Sequence, residues 1–246
     1  MRILFTLLSI DAGNKMYIES AKRLVSELLE KTNHDIVVST NNASHFKVFE
    51  NERFKVRNNI DKSCVFKYKT EFNYNLKYHC FDDLIGEYDC VIYLDCDIKI
   101  GYWSTDSENI IEKSLKDYDF LADRFECVLS DQINEYQNGG RPLFSHKIRS
   151  YDILKRFNSF DDIMNSKLPS EHFLIFKYDK TRLDKFKDKW SELNTYLQNK
   201  NGDGGSWGDG FEIGISARHA GYHKTLTYNQ NIWEHKLGFI FNGNKY

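Results

Sequence analysis

Several residue types are scarce in the sequence, and each shortage excludes a class of protein. The chain has only 2 prolines and no Gly/Ser-rich or Pro-rich linker, so we expect one domain with one core. Its 34 basic and 36 acidic residues nearly cancel, which argues against a nucleic-acid partner. No apolar run approaches the roughly 20 residues of a membrane-spanning helix. We therefore expect no membrane span.

Cysteines are also few. The 5 cysteines include no CxxC pair, and an odd, scattered set does not suggest a disulfide framework. This favours reduced thiols packed as small apolar residues in a cytoplasmic protein. The amino-terminal run RILFTLLS is short and is followed by Asp11 and Asn14 where a signal peptide would have small residues. A buried first strand explains this run better.

Hydrophobic periodicity predicts an α/β fold. RILFTLLS and DIVVST are typical of buried strands, and between them apolar residues recur at helical spacing from Tyr17 to Leu29. A helix from Leu76 to about Gly86 then precedes DCVIYL, whose continuous apolar run indicates a central strand. IKIGYW, YDFLAD and EHFLIFKY are further strand candidates. Such strand–helix–strand order predicts a mostly parallel sheet flanked by helices.

The C-terminal half is less regular. Residues 124–147 look like a long loop, which in a compact domain is often functional. Apolar residues from Leu183 to Leu197 predict a long helix, and FEIGISARHAGY predicts a shorter one after the glycine-rich stretch NGDGGSWGDG. The aromatic end, HKTLTYNQNIWEHKLGFIF, reads as strand-like.

Two acids directly follow the central strand. Asp95 and Asp97 are one residue apart in VIYLDCDIKI, so an extended chain would point both to one side. Ligands of open α/β sheets bind beyond the carboxyl ends of the strands. Two close carboxylates repel each other, and a hard divalent cation such as Mg²⁺ or Mn²⁺ would remove that repulsion. Two solvated turn acids are the alternative.

The segment YDCVIYLDCDIKI resembles the DxD segment of GT-A-fold glycosyltransferases, which bind a nucleoside-diphosphate sugar through a divalent metal. The resemblance implies a Rossmann-like GT-A fold over residues 1–246, with a nucleotide-binding half (1–100) and an acceptor-binding half (101–246). It implies Mn²⁺ or Mg²⁺ on Asp95 and Asp97, a donor such as a UDP-sugar, and a glycan or other hydroxyl acceptor. Asp95 would thereby also contact the cofactor, and Lys77 would reach a phosphate unless it is an ordinary exposed lysine. The base and ribose would lie at the ends of the first two strands, on Ser9, Asp11, Asn14, Thr40 and Asn41.

A second segment, SWGDGFEIGISARHAGY, resembles the WGGEN segment of polypeptide N-acetylgalactosaminyltransferases and beta-galactosyltransferases. By this resemblance Asp209 is the catalytic base, although Asp-Gly-Phe replaces the family's Gly-Glu-Asn; Asp209 could instead cap the following helix. Glu212 is a second catalytic candidate, or an acid that favours the helix dipole. Glu171, at the start of EHFLIF, is a third catalytic candidate, or it binds sugar hydroxyls, or it is a loop acid. His235 in WEH would be the third metal ligand, with His219 and His223 as competitors, or a structural histidine.

Two other functions remain open from the sequence. A haloacid-dehalogenase-type phosphohydrolase also places DxD after apolar residues and uses a later GDG segment, and both LDCD and GDGFE occur here in that order. Against it, Ile98 and Lys99 follow the acids where that family has a small pair, and two strand–helix elements precede them. The third possibility is a sugar-nucleotide or glycan-binding module that has lost catalysis.

Overall fold

The computed structural model describes residues 1–13, 15–62, 66–68, 71–72, 74–141, 160–170, 172–200, 210–228 and 230–241. Thirteen strands occur in these ranges: β1 (Ile3–Ser9), β2 (Asp35–Thr40), β3 (Phe54–Arg57), β4 (Phe66–Tyr68), β5 (Glu71–Phe72), β6 (Cys90–Leu94), β7 (Ile98–Ile100), β8 (Phe120–Ala122), β9 (Phe125–Val128), β10 (Lys167–Pro169), β11 (Phe173–Lys177), β12 (Thr225–Thr227) and β13 (Phe239–Phe241). The same ranges hold seven α-helices: α1 (Lys15–Lys31), α2 (Thr105–Asp117), α3 (Leu129–Gln137), α4 (Phe160–Ile163), α5 (Lys180–Lys200), α6 (Gly210–His219) and α7 (Gln230–His235). The 3₁₀ helices Ala43–Phe46 and Tyr74–Phe81 complete the described elements.

The core of the fold is a seven-stranded sheet in the order β12-β8-β11-β6-β1-β2-β3. β1 pairs in parallel with both β2 and β6, and β2 pairs in parallel with β3. β12 is parallel to β8, while β11 runs antiparallel to both of its neighbours. One strand of seven is therefore reversed, which confirms the mostly parallel α/β sheet. All five residues of β6 are buried, as its continuous apolar run predicted.

Side chains of alternate strand residues enter two different apolar layers. Phe5 and Leu7 of β1 pack in one cluster with Leu24 of α1, whereas Leu4 packs in the other with Phe186 of α5. This alternation is the two-residue period of a strand, and it explains why helices cover both faces. None of the described helices is long and apolar enough to cross a membrane.

Three local predictions were wrong. The segment before β6 is the 3₁₀ helix Tyr74–Phe81, not a helix reaching Gly86, and Ile85 beyond it is exposed. Residues 124–147 are not one loop, because β9 and α3 occupy 125–137. The strand-like C-terminal segment contains a helix, α7, between β12 and β13.

A separate two-stranded sheet begins just after β6 in the chain. β7, which follows the two acids directly, pairs antiparallel with β13. Gly101 N donates to Gly238 O at 2.8 Å, and a Cβ on Gly238 would lie 1.9 Å from Tyr102 O. Gly238 also has a φ of +71°, so this close approach requires glycine. β13 thereby brings the C-terminal part of the chain to the segment that carries the acids.

Candidate functional site

Polar side chains collect at one edge of the sheet, where parallel strands end. Ser9 ends β1 and is paired in register with Thr40, which ends β2. Asp95 directly follows β6, and Asp123 directly follows β8. Because these four strands run in the same direction, their last residues meet at this edge. The fold therefore assembles residues that are far apart in the chain.

Asp95 is held in a turn directly after β6. Its backbone N–H donates to His172 O at 2.9 Å, and its carbonyl accepts from Ile98 N at 3.0 Å. Lys77 Nζ donates to Asp95 Oδ2 at 3.2 Å, and the hydroxyl of Tyr93 donates to Asp95 Oδ1. Both carboxylate oxygens thus have a donor, and the cation of Lys77 lies beside Asp95, while its contact with a phosphate stays a prediction.

Asp97 lies in a less favourable environment. Its Oδ1 is buried and has no hydrogen-bond partner in the described part of the chain. Burial and the charge of Asp95 raise the pKa of Asp97 to about 6. A buried carboxylate oxygen without a donor is uncommon in folded proteins and calls for an ion, a water or a ligand group. This orphaned oxygen beside a second carboxylate is a donor set that suits a hard divalent cation.

The ends of β1 and β2 are joined by a network around Asp11. The side chain of Asn41 accepts from Asp11 N at 2.7 Å and donates to Asp11 O at 2.9 Å. Asp11 Oδ2 lies 2.8 Å from His45 Nε2 and accepts from Asn42 Nδ2 at 3.0 Å. The hydrogen bonds from His45 and Asn42 lower the pKa of Asp11 to about 2. Thr40 joins this network, because its Oγ1 accepts from Asn42 N at 3.1 Å.

The network includes two residues that the sequence analysis missed. Asn42 and His45 follow β2 in the segment NNASH, of which the sequence analysis named only Asn41. Asn42 caps the 3₁₀ helix Ala43–Phe46 by accepting from Ser44 N, and this helix carries His45 back over Asp11. A capping residue directly after a strand end was the available signal.

A second missed group surrounds Asp123. Ser170 Oγ donates to Asp123 Oδ2 at 2.5 Å, and His172 Nδ1 lies 2.8 Å from the same oxygen. Burial lowers the pKa of His172, but its hydrogen bond to Asp123 and the carboxylates nearby outweigh burial and raise that pKa. The ring of His172 also lies 4.3 Å from that of Phe241, between their centroids. A histidine cation is thus favoured beside the two acids.

The remaining candidates are placed as follows. Glu212 is 1% exposed, in the first turn of α6, which agrees with a structural role in the helix. His235 is exposed at the end of α7, and His219 and His223 are exposed as well. Asn14, Glu171 and Asp209 lie outside the described residues. Across the described ranges, no three His, Cys, Asp or Glu side chains form a group that could hold a metal ion, so the third ligand stays a prediction.

Two surface depressions in the described part of the chain lie at the opposite edge of the sheet. They are found where β1, β2 and β6 begin, and their linings include Arg2, Asp35 and Asp89. Neither lining includes a residue of the polar cluster at the carboxyl ends of the strands. We place the candidate site at the carboxyl edge, because the orphaned oxygen and the paired acids are there.

Comparisons with known proteins give structural similarity only. No protein-family model and no curated protein sequence matches the chain. An active-site mutant of LgtC aligns with a TM-score of 0.48 and 12% identity over 94% of this chain and 74% of its own. The WbbM bifunctional glycosyltransferase aligns with a TM-score of 0.48 and 14% identity over 93% of this chain and 38% of its own. The glycosyltransferase GlyE of Streptococcus pneumoniae aligns with a TM-score of 0.47 and 14% identity over 95% of this chain and 46% of its own. This chain therefore spans less than half of the WbbM and GlyE chains.

Proposed function

We propose that the chain is a metal-dependent glycosyltransferase of the GT-A fold. It would move a sugar from a nucleoside-diphosphate sugar, expected to be a UDP-sugar, to a glycan or another hydroxyl acceptor. The observation that carries the proposal is the turn after β6, where the buried Oδ1 of Asp97 has no partner beside the carboxylate of Asp95. A metal-bound diphosphate is a ligand that suits this pair.

Asp95 and Asp97 would hold Mn²⁺ or Mg²⁺, with His235 proposed as a third ligand. When bound, the cation supplies positive charge that offsets the charge developing on the leaving nucleoside diphosphate. Lys77, whose Nζ already lies 3.2 Å from Asp95 Oδ2, would donate to a phosphate oxygen from the same side. Two cations would then face the diphosphate.

The base and ribose of the donor would lie at the ends of β1 and β2. Asp11 is held ionised by His45 and Asn42, so it can accept hydrogen bonds from ribose hydroxyls or base N–H groups. Ser9, Thr40, Asn41 and Asn14 complete this proposed subsite.

A carboxylate must assist the acceptor hydroxyl or the developing sugar cation. We assign this role to Asp209 or Glu171, and Glu212 remains a third candidate. Burial of Glu212 at 1% exposure makes it the weakest of the three, because a general base must reach the proton that it removes.

The phosphohydrolase alternative is not favoured. It expects a pair of small residues directly after the acids, whereas Ile98 and Lys99 follow them here. It also expects the acids on the first strand of the sheet, whereas here they follow β6. A binding module without catalysis would share the site and differ only in turnover.

Calorimetry tests the proposal. The wild-type protein, Asp97→Ala and the exposed control Asp106→Ala would be titrated with UDP and other nucleoside diphosphates, in Mn²⁺ and in EDTA. We expect Mn²⁺ to tighten binding of at least one nucleotide to the wild type and to Asp106→Ala, and to have no such effect on Asp97→Ala. Equal Mn²⁺-dependent binding by Asp97→Ala would show that the pair does not hold the metal.

A further inference from the structure

Among the carboxylates at the carboxyl ends of the strands, Asp123 is the most buried, and hydrogen-bond partners surround only one of its two oxygens. It directly follows β8 and is 6% exposed. Oδ2 has two partners, Ser170 Oγ at 2.5 Å and His172 Nδ1 at 2.8 Å. Ser170 is itself buried, at 8% exposure. These contacts fix the orientation of the carboxylate.

Among the residues that the structure describes, the other oxygen of Asp123 has no donor. Oδ1 is buried and makes no hydrogen bond, although its partner oxygen makes two. An acceptor buried in this way destabilises the fold unless a ligand or water donates to it. The proposed chemistry at Asp95 and Asp97 does not use this oxygen, so its orientation needs a separate explanation.

The register of the sheet places Asp123 close to the paired acids. Leu174 of β11 is aligned with Ala122 on one side and with Tyr93 on the other. Asp123 and the residues after β6 therefore lie two strand spacings apart, or about 10 Å. A sugar attached to a phosphate held at Asp95 and Asp97 can span this separation.

We infer that Asp123 is a specificity-determining residue whose free Oδ1 accepts a hydrogen bond from a sugar hydroxyl. The inference rests on the proposed function and deepens it, because it names the carboxylate that would distinguish one sugar from another. A metal is a poor occupant of this position, since the other neighbours of Asp123 are the donor Ser170 and the ring of His172. The ring of Phe241, which is 39% exposed and tilted against the ring of His172, offers an apolar face for the C–H side of a sugar.

The test compares nucleotide sugars with the matching nucleoside diphosphates. Calorimetry in Mn²⁺ would measure the affinities for UDP, UDP-glucose, UDP-galactose and single-deoxy analogues of the two sugars. The ratio of the affinity for a nucleotide sugar to the affinity for UDP gives the contribution of the sugar. The variants are Asp123→Asn and Asp119→Asn, a matched control because Asp119 directly precedes the same strand β8. A hydrogen bond to a charged group changes affinity by about 10- to 100-fold.

For a donor sugar, we expect Asp123→Asn to lose this added affinity and to bind UDP unchanged, while Asp119→Asn behaves as wild type. One deoxy analogue should bind the wild type with an affinity lower by a similar factor. Asp123→Asn should bind that analogue no more weakly than the wild type does, because the hydroxyl and the carboxylate are partners in one interaction. If the hydroxyl belongs to the acceptor, the same loss would instead be seen for methyl glycosides titrated in the presence of UDP and Mn²⁺.

If Asp123→Asn binds both the nucleotide sugars and the methyl glycosides as tightly as the wild type does, then only a buried water donates to Oδ1. That result would overturn the inference even if UDP still binds. Failure of the wild type to bind any nucleotide would overturn the proposed function, and this inference with it. If circular dichroism shows that Asp123→Asn does not fold, Asp123→Ser provides the same comparison.

Discussion

Asp97 should destabilise the metal-free protein. Its carboxylate is partly buried beside Asp95, and its Oδ1 has no donor. Asp97→Asn keeps the shape of the side chain and removes the charge. We therefore expect this substitution to raise the free energy of unfolding at neutral pH when no divalent cation is present. A stabilising substitution at a polar site is typical of residues kept for function.

The magnitude follows from the pKa of Asp97, which is raised from 3.8 to about 6. That difference corresponds to about 3 kcal/mol, at about 1.4 kcal/mol for each tenfold change in proton affinity. Solvent reaches part of the side chain, so we expect about 1–3 kcal/mol. Because the folded state binds the proton more tightly than the unfolded state, the destabilisation is absent below about pH 4 and complete above about pH 6.

Urea denaturation in EDTA, at several values between pH 4 and pH 8, measures this difference. The free energy of unfolding of Asp97→Asn should rise above that of the wild type between about pH 4 and pH 6, and the difference should then stay constant at higher pH. The exposed control Asp117→Asn should stay within about 0.5 kcal/mol of wild type throughout. A variant that is less stable than wild type at pH 8, or a difference that does not depend on pH, would refute the reasoning.

Two further predictions concern the frame around the site. Asp11→Asn should cost about 1–2 kcal/mol near neutral pH, because the pKa of Asp11 is lowered to about 2. This contribution is complete above about pH 4 and is lost as the pH falls toward 2. In denaturation experiments the difference in free energy of unfolding between wild type and Asp11→Asn should therefore be smaller at pH 3 than at pH 7, and a difference that is the same at both pH values would contradict this account. Gly238→Ala should lower stability by about 3 kcal/mol or more, because its Cβ would meet Tyr102 O at 1.9 Å. Gly139→Ala is the control, since it shares a positive φ but has open space around it, and equal losses in thermal melts would disprove the steric account.

The first hundred residues could be predicted well because their signals are local. β1, α1, β2 and β6 follow from apolar periodicity, and the strand-end rule then points to Asp95 and Asp97 as candidate ligands. Lys77 was predicted to reach a phosphate, and the structure places it beside Asp95 on a 3₁₀ helix. The strand predictions need only the order of elements and their apolar pattern, whereas the roles given to Asp11, Asn41 and Lys77 come from the resemblance and stay predictions.

The environment of Asp123 could not be predicted in the same way. His172 reaches Asp123 because β11 is inserted antiparallel between β6 and β8, and no local pattern gives that pairing. The strand-end rule applied to YDFLAD would have selected Asp123 itself, but not its partners. α7 was missed because six residues that include Trp233 resemble an aromatic strand and are too few for a clear helical period.

The central claim is that the acids after β6 hold, through a divalent cation, the diphosphate of a sugar donor. The most direct measurement is the chromatographic product of nucleotide sugars incubated with the protein and Mn²⁺, in parallel with Asp95→Ala. The account predicts that the wild type releases a nucleoside diphosphate from at least one nucleotide sugar and that Asp95→Ala does not. Release of inorganic phosphate from phosphomonoesters by the wild type, with no nucleoside diphosphate formed from any nucleotide sugar, would contradict it.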